Sequence, residues 1–170
     1  MQVLSSRVVI LGNAGSGKTT LARRLAQQNR APVLDLDTIA WEPGMPPVRS
    51  APATALARLS GFCDAAPAWI VEGCYADLAE AALARRPELV FLNPGEAVCL
   101  ANCRNRPWEP HKYASAAELD AALPYLLEWV GGYYRRDDEF SLARHRALFD
   151  AYDGPKRELV ALPRGSRFPS

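Results

Sequence analysis

The sequence comprises 170 residues, 49% hydrophobic and 23% charged, proportions of an ordinary globular domain that exclude a disordered tail or a fibrous repeat. A chain of this length hides roughly 70% of its unfolded surface, so one core is expected and two are not. Lys plus Arg number 20 against 19 Asp plus Glu, which leaves no global positive charge for a polyanion such as duplex DNA.

The first predicted element is a buried strand over residues 8–11, all apolar, followed by a helix over 18–28 with Leu21, Leu25 and alanines on one face. Pro32 punctuates its exit. Residues 33–36 make a second strand, the Pro-rich stretch 43–52 reads as loop, and 53–63 as helix. A third strand is expected at 69–72, a helix over 77–85 with Asp77 and Glu80 spaced as a capping box, and a fourth strand at 89–92. A helix over 95–104 leads into an irregular polar stretch, 106–114, containing Pro107 and Pro110. Ser115 and Glu118 form another capping box for a helix to about Tyr134, with a kink expected at Pro124 and a weakened end at Gly131 and Gly132. A helix over 141–152 is stopped by Gly154, and the last strand is placed at 159–162. Strands separated by helices predict a parallel sheet covered on both faces in a single α/β domain, residues 1–170, with a lid-like segment at about 104–136.

Residues Gly12, Asn13, Ala14, Gly15, Ser16, Gly17, Lys18 and Thr19 fit the phosphate-loop pattern GxxxxGK(S/T), between a predicted strand and a predicted helix as that pattern requires. The spacing has a physical reason. Phosphates must be approached by several backbone N–H groups at once; glycine permits that approach, and the following helix offers free N–H groups at its positive end. Lys18 supplies a mobile charge for the β- and γ-phosphates, the Thr19 hydroxyl is placed to ligate Mg²⁺, and Thr20 is a candidate contact for the α-phosphate.

Ligands in a parallel sheet sit beyond the carboxyl ends of the strands, where Asp35, Asp37 and Glu72 stand. Asp35 and Glu72 are candidates to hold Mg²⁺ or its waters, and Asp37 to orient an acceptor. Arginine outnumbers lysine 17 to 3, and Arg104, Arg135 and Arg146 are candidates to bind phosphate oxygens from a lid. Among the aromatic residues, Trp41 is placed to stack on an acceptor, whereas Trp69, Trp108 and Trp129 with Tyr133 and Tyr134 read mostly as core. His111 and His145 read as surface or internally satisfied histidines. Cys63, Cys74, Cys99 and Cys103 lack metal-ligand spacing and read as buried thiols of a reducing compartment. No export or membrane segment is expected.

With those residues in place, the chain resembles the adenylate-kinase-like branch of P-loop kinases, and more narrowly the small bacterial proteins described as FlaR-related or as adenylate or shikimate kinases. The likeness covers most of the chain. It rests on the loop from Gly12 to Thr19, on residues 34–37 followed by Trp41, Pro43 and Gly44, and on WIVEGCY at 69–75. Arg135, Arg136, Asp137 and Asp138, with Arg146 further on, look like the post-lid arginine pair of adenylate kinases, which implies γ-phosphate contacts. The resemblance implies a three-layer α/β/α P-loop NTPase fold with a five-stranded parallel sheet in the order 2-3-1-4-5, a lid and an acceptor-binding arm. Adenylate kinases place an arginine shortly after the third strand for the acceptor's phosphate, where this chain has Cys74, Tyr75 and Ala76. Shikimate kinases carry a glycine triplet there, where it has Glu72, Gly73 and Cys74. The acceptor stays open.

The expected activity is Mg²⁺-dependent transfer of the γ-phosphoryl group of ATP to a small-molecule or nucleotide acceptor, by a cytoplasmic monomer or homodimer. Two alternatives share the same loop: a nucleotide-dependent switch or slow ATPase read by a protein partner, and a 5′-hydroxyl nucleic-acid kinase.

Overall fold

Strand β1 (Arg7–Gly12) is apolar on both faces because it lies at the centre of a covered sheet: Val9 and Leu11 pack into one core, Val8 and Ile10 into another. The structure, a computed structural model, describes residues 5–44, 46–110 and 112–163. After β1 come α1 (Lys18–Asn29), β2 (Val33–Asp35), the one-turn α2 (Asp37–Ala40), and two short strands, β3 (Trp41–Glu42) and β4 (Val48–Arg49). Then follow α3 (Pro52–Asp64), β5 (Trp69–Gly73), α4 (Ala76–Leu83), β6 (Glu88–Leu92), α5 (Glu96–Arg104), α6 (Ala116–Gly132), α7 (Leu142–Ala151) and β7 (Lys156–Leu159).

Five strands form one parallel sheet in the spatial order β2-β5-β1-β6-β7. Counting only these strands along the chain, the order is 2-3-1-4-5, the one the resemblance implies. Leu21, Ala22 and Leu25 of α1 close one face against Ile10, Ile70 and Val90. Residues of α3, α4 and α7, among them Leu59, Leu78 and Leu148, close the other against Leu11, Val71 and Leu89. A third cluster, Cys99, Cys103 and Val130, joins α5 to α6. The result places β1, the loop after it and the ends of β2 and β5 at one rim of the sheet, the rim where ligands bind in such folds.

Some boundaries differ from the sequence reading, each for a local reason. The Pro-rich stretch contains β4, which pairs antiparallel with β3 through Trp41 opposite Arg49 and Glu42 opposite Val48. The last strand is Lys156–Leu159 rather than 159–162. Its register opposes Leu89 to Lys156 and Leu92 to Leu159, so Leu159 is its inward apolar anchor and Val160 is left 70% exposed. The expected Asp77–Glu80 capping box does not form. Tyr75 is the N-cap of α4, Asp77 instead accepts from the Leu78 amide, and Glu80 pairs with Arg144. Ser115 and Ser141 do cap their helices, accepting from the amides of Glu118 and Arg144. Helix α6 runs through Pro124.

Candidate functional site

The phosphate loop is held open by backbone geometry that only glycine takes easily. Gly15 and Gly17 have φ of 75° and 100°. A Cβ on Gly15 would stand 2.4 Å from the Cys99 carbonyl oxygen, and one on Gly17 would stand 2.9 Å from Leu162 Cδ1, so conformation and packing both require glycine there. Helix α1 starts immediately afterwards with Gly17 as N-cap and no side-chain cap. Its first-turn amides have no intrahelical carbonyl to bond and form the positive end of the helix. Beside them the Ser16 hydroxyl oxygen is buried with no partner among the described residues. Lys18 is 9% exposed, and its Nζ donates to the Asn13 carbonyl at 2.7 Å. Asn13 Nδ2 donates to the Val130 carbonyl, and Asn102 Nδ2 to that of Gly15, which tie the loop to α6 and α5. The amides around Gly15, Gly17 and Thr19 and the Lys18 ammonium stand at one concavity and make a receptor for an anion with several oxygens.

Next to the loop stand the strand-end carboxylates. The Thr19 hydroxyl donates to Glu72 Oε1 at 2.7 Å, and Asp35 lies opposite Glu72 in the β2–β5 register. Burial pushes both carboxyl groups above their ordinary range. The Lys18 charge opposes the rise at Glu72, whereas the charge of Asp37 adds to it at Asp35. Among the described residues no three His, Cys, Asp or Glu side chains converge as a metal cage. Thr19, Asp35 and Glu72 are nonetheless all-oxygen donors, the kind Mg²⁺ takes a few of while keeping phosphate oxygens and water as its other ligands.

Asp37, the first residue of α2, is fixed from two sides. Its amide donates to Asp35 Oδ1 at 2.9 Å, and its Oδ1 accepts from the Tyr75 hydroxyl at 2.5 Å. That hydroxyl in turn accepts from Trp41 Nε1 at 2.8 Å. The chain Trp41–Tyr75–Asp37 leaves Oδ2 as the carboxylate oxygen that the relay does not use.

Two cavities meet at Lys18. One, of about 540 Å³, is lined by Asp35, Asp37, Trp41, Glu72 and Tyr75; the other, of about 340 Å³, by Gly15, Gly17, Thr20 and Arg23. Lys18, Thr19 and Arg106 line both. The segment expected as a lid contributes Lys112, Tyr113, Leu126 and Trp129 to the larger cavity.

The arginines singled out in the sequence stand elsewhere. Arg104 is exposed at the end of α5 and lines neither cavity. Arg135 is 67% exposed and pairs with Glu96 at 3.3 Å. Arg146 makes two 2.7 Å hydrogen bonds to Glu158 and lies over the Phe91 ring, an ion pair that holds Glu158 below the ordinary carboxylate range. Acidic partners distant in sequence claim two of the three. Arg106, two residues beyond Arg104, is the arginine that reaches the junction. Sequence reasoning also missed Arg49, Tyr75 and Glu139 as cavity residues. The only advance signal was the aromatic ending of WIVEGCY, where an arginine stands in adenylate kinases.

Of the aromatic residues read mostly as core, Trp69 and Tyr133 are buried, whereas Trp108 and Trp129 are 45% and 40% exposed, which corrects the expectation for those two; Trp41, read as the exception, is 37% exposed. His145 is fully buried. Its Nε2 donates to the Cys74 carbonyl and its Nδ1 accepts from the Tyr133 hydroxyl, both at 2.9 Å, so it is neutral, with burial pulling its pKa down to about 4. His111 lies outside the described residues. All four cysteines are free thiols, three of them buried and Cys74 partly so. No helix among the described residues is long and apolar enough to cross a membrane.

No protein-family description matches the chain, and no curated protein does. Solved structures do. A sugar kinase from Janibacter sp. is similar over 90% of this chain and 83% of its own, with 17% identity and a TM-score of 0.50. A gluconokinase from Sinorhizobium meliloti is similar over 92% and 83%, with 18% identity and a TM-score of 0.46. A shikimate kinase from Bacteroides thetaiotaomicron is similar over 72% and 77%, with 20% identity and a TM-score of 0.43. At these identities the likeness concerns the fold alone: three layers around a five-stranded parallel sheet.

Proposed function

We propose that the protein is a phosphotransferase that moves the γ-phosphoryl group of ATP, with Mg²⁺, to a small-molecule acceptor. The observation that carries this reading is the meeting of two cavities at Lys18, Thr19 and Arg106, with a phosphate loop on one side and the tethered Asp37 on the other. In this reading the smaller cavity takes the triphosphate and the larger one the acceptor. The narrower kinship with FlaR-related proteins rests on the three sequence segments that suggested it.

The chemistry asked of these residues is mostly positioning and charge compensation. Lys18, the loop amides and Arg106 hold the phosphates. Thr19 with Glu72 and Asp35 would hold Mg²⁺, which supplies neutralisation of the β- and γ-phosphate oxygens when bound. Asp37 Oδ2 orients the acceptor hydroxyl. As the acceptor's hydroxyl oxygen bonds to the γ-phosphorus, the bond from that phosphorus to the β,γ-bridging oxygen breaks and ADP leaves, while the hydroxyl proton passes to the Asp37 carboxylate. Excluding water is the task this reading gives to Arg106, Lys112 and Tyr113 and to Leu126 and Trp129 of α6, which line the larger cavity.

The test is transfer of label from [γ-³²P]ATP into fractionated metabolite pools. Label in a new small molecule, lost in Lys18→Ala, supports the reading. Label in free phosphate alone, stimulated by a protein fraction, favours a nucleotide-dependent switch.

A further inference from the structure

The wall of the larger cavity holds an arginine that the transfer step does not use. The guanidinium carbon of Arg49, on β4, lies 4.8 Å from the centre of the Tyr75 ring, 5.5 Å from Trp41 and 5.8 Å from Phe140. Its Nη2 is 3.3 Å from Glu139 Oε1 and 3.7 Å from Asp77 Oδ2. Its Nη1 is buried with no hydrogen-bond partner among the described residues. An arginine in a substrate cavity is ordinarily the receptor for a carboxylate or phosphate. Here Nη2 is held by two carboxylates, and Nη1, buried beside three aromatic rings, is out of a ligand's reach.

The charge count agrees. One cation faces two carboxyl groups. Burial and the adjacent Asp77 push Glu139 up to about 7, so near neutral pH the trio passes between neutral and singly negative and does not become positive. Asp35, Asp37 and Glu72 add negative charge elsewhere on the same cavity; of its other cations, Lys18 and Arg106 are shared with the cavity assigned to the triphosphate, and Lys112 is paired with Glu109 at 3.2 Å. An anionic acceptor thus meets no uncompensated cation at this wall. A hydroxylated acceptor meets oxygens that accept from its O–H groups, on Asp37 and Glu139, and partly exposed indole faces of Trp41 and Trp129 for its C–H surface.

Taken with the phosphotransferase reading, on which this rests, the geometry points to a neutral polyhydroxylated small molecule, of the sugar or polyol class, as the acceptor, with Glu139 and Asp77 as specificity-determining residues. They neutralise Arg49 and so exclude phosphorylated or carboxylated analogues, a repulsive element added to an attractive one.

Matched acceptor pairs test it: sugars and polyols against the corresponding aldonic acids and phosphate monoesters, with kcat/KM measured for the wild type, Glu139→Gln and Asp77→Asn/Glu139→Gln. The wild type is expected to favour the neutral member by at least about tenfold, and the double variant, which uncovers Arg49, to lose or invert that preference at unchanged ATP affinity. Preference of the wild type for the anionic members, or an unaltered ratio in the double variant, overturns this inference and leaves the phosphotransferase reading standing. Failure of every pair to take up label, with ATP bound, overturns this inference, and the phosphotransferase reading falls with it only where the fractionated metabolite pools also stay unlabelled.

Discussion

Replacing His145 with glutamine removes a titration that the fold suppresses. His145 is fully buried between the Tyr133 hydroxyl and the Cys74 carbonyl, and burial, the largest cause, brings its pKa from the ordinary 6.5 down to about 4. Between those values the unfolded chain binds a proton that the folded chain does not. Stability therefore rises with pH across that window, is fully present above about 6.5, and is withdrawn as the pH falls toward 4. At about 1.4 kcal/mol per pH unit, the whole window is worth roughly 3 kcal/mol. Glu139 works in the opposite sense, since its carboxyl is raised to about 7 in the folded chain; its contribution declines as the pH rises from its ordinary value through 7. The two overlap, so the comparison must be between proteins that share Glu139. Urea unfolding of the wild type and His145→Gln from about pH 4.5 to pH 7.5 should show their free-energy difference growing by roughly 2–3 kcal/mol in favour of the wild type. A difference flat with pH would refute the neutral, doubly bonded His145. The result bears on the site because Cys74 precedes Tyr75, so this histidine anchors the turn that carries the Asp37 tether.

Further outcomes follow from the same geometry. Tyr75→Phe removes a hydrogen bond to a carboxylate, a loss of about 1.5–3 kcal/mol where such bonds matter, so kcat/KM for transfer should fall roughly 10- to 100-fold with the ATP dissociation constant unchanged. Equal losses in both would place Tyr75 in general folding rather than in the Asp37 tether. Arg106→Ala should reduce transfer by about a hundredfold as a phosphate contact at the cavity junction, whereas Arg146→Ala should leave kcat within about twofold and lower thermal stability through the exposed Glu158 pair by less than about 1 kcal/mol. Kinetics of the two variants side by side, with melting curves, separate the roles; a large kinetic defect in Arg146→Ala would return that residue to the site.

The parts of the site legible in the sequence were those whose chemistry is set by neighbours along the chain. Gly15, Gly17, Lys18 and Thr19 are fixed by the requirements of a strand–loop–helix junction, and Asp35 and Glu72 by standing at strand ends; Asp37, expected at the end of the second strand, instead opens α2 just beyond it. Alternation of strands and helices gave the parallel sheet, and the resemblance alone gave its order. What stayed hidden depends on contacts between distant segments. Arg49 came from a Pro-rich stretch that gives no strand pattern, because β3 and β4 are two residues each. Glu139 reaches Arg49 across 90 positions, and Tyr75 reaches Asp37 across 38. The arginines were misplaced for the same reason: nothing near Arg146 in sequence announces that Glu158 on β7 will hold it.

The central claim is that the loop from Gly12 to Thr19 binds a nucleoside triphosphate through its amides and Lys18. Titration calorimetry of the protein with ATP and Mg²⁺ tests it most directly, with Lys18→Ala measured alongside. Saturable heat is expected for the wild type at up to about millimolar ATP, with a loss of at least tenfold in affinity for the variant. No heat from the wild type, or indistinguishable isotherms for the two proteins, would contradict it.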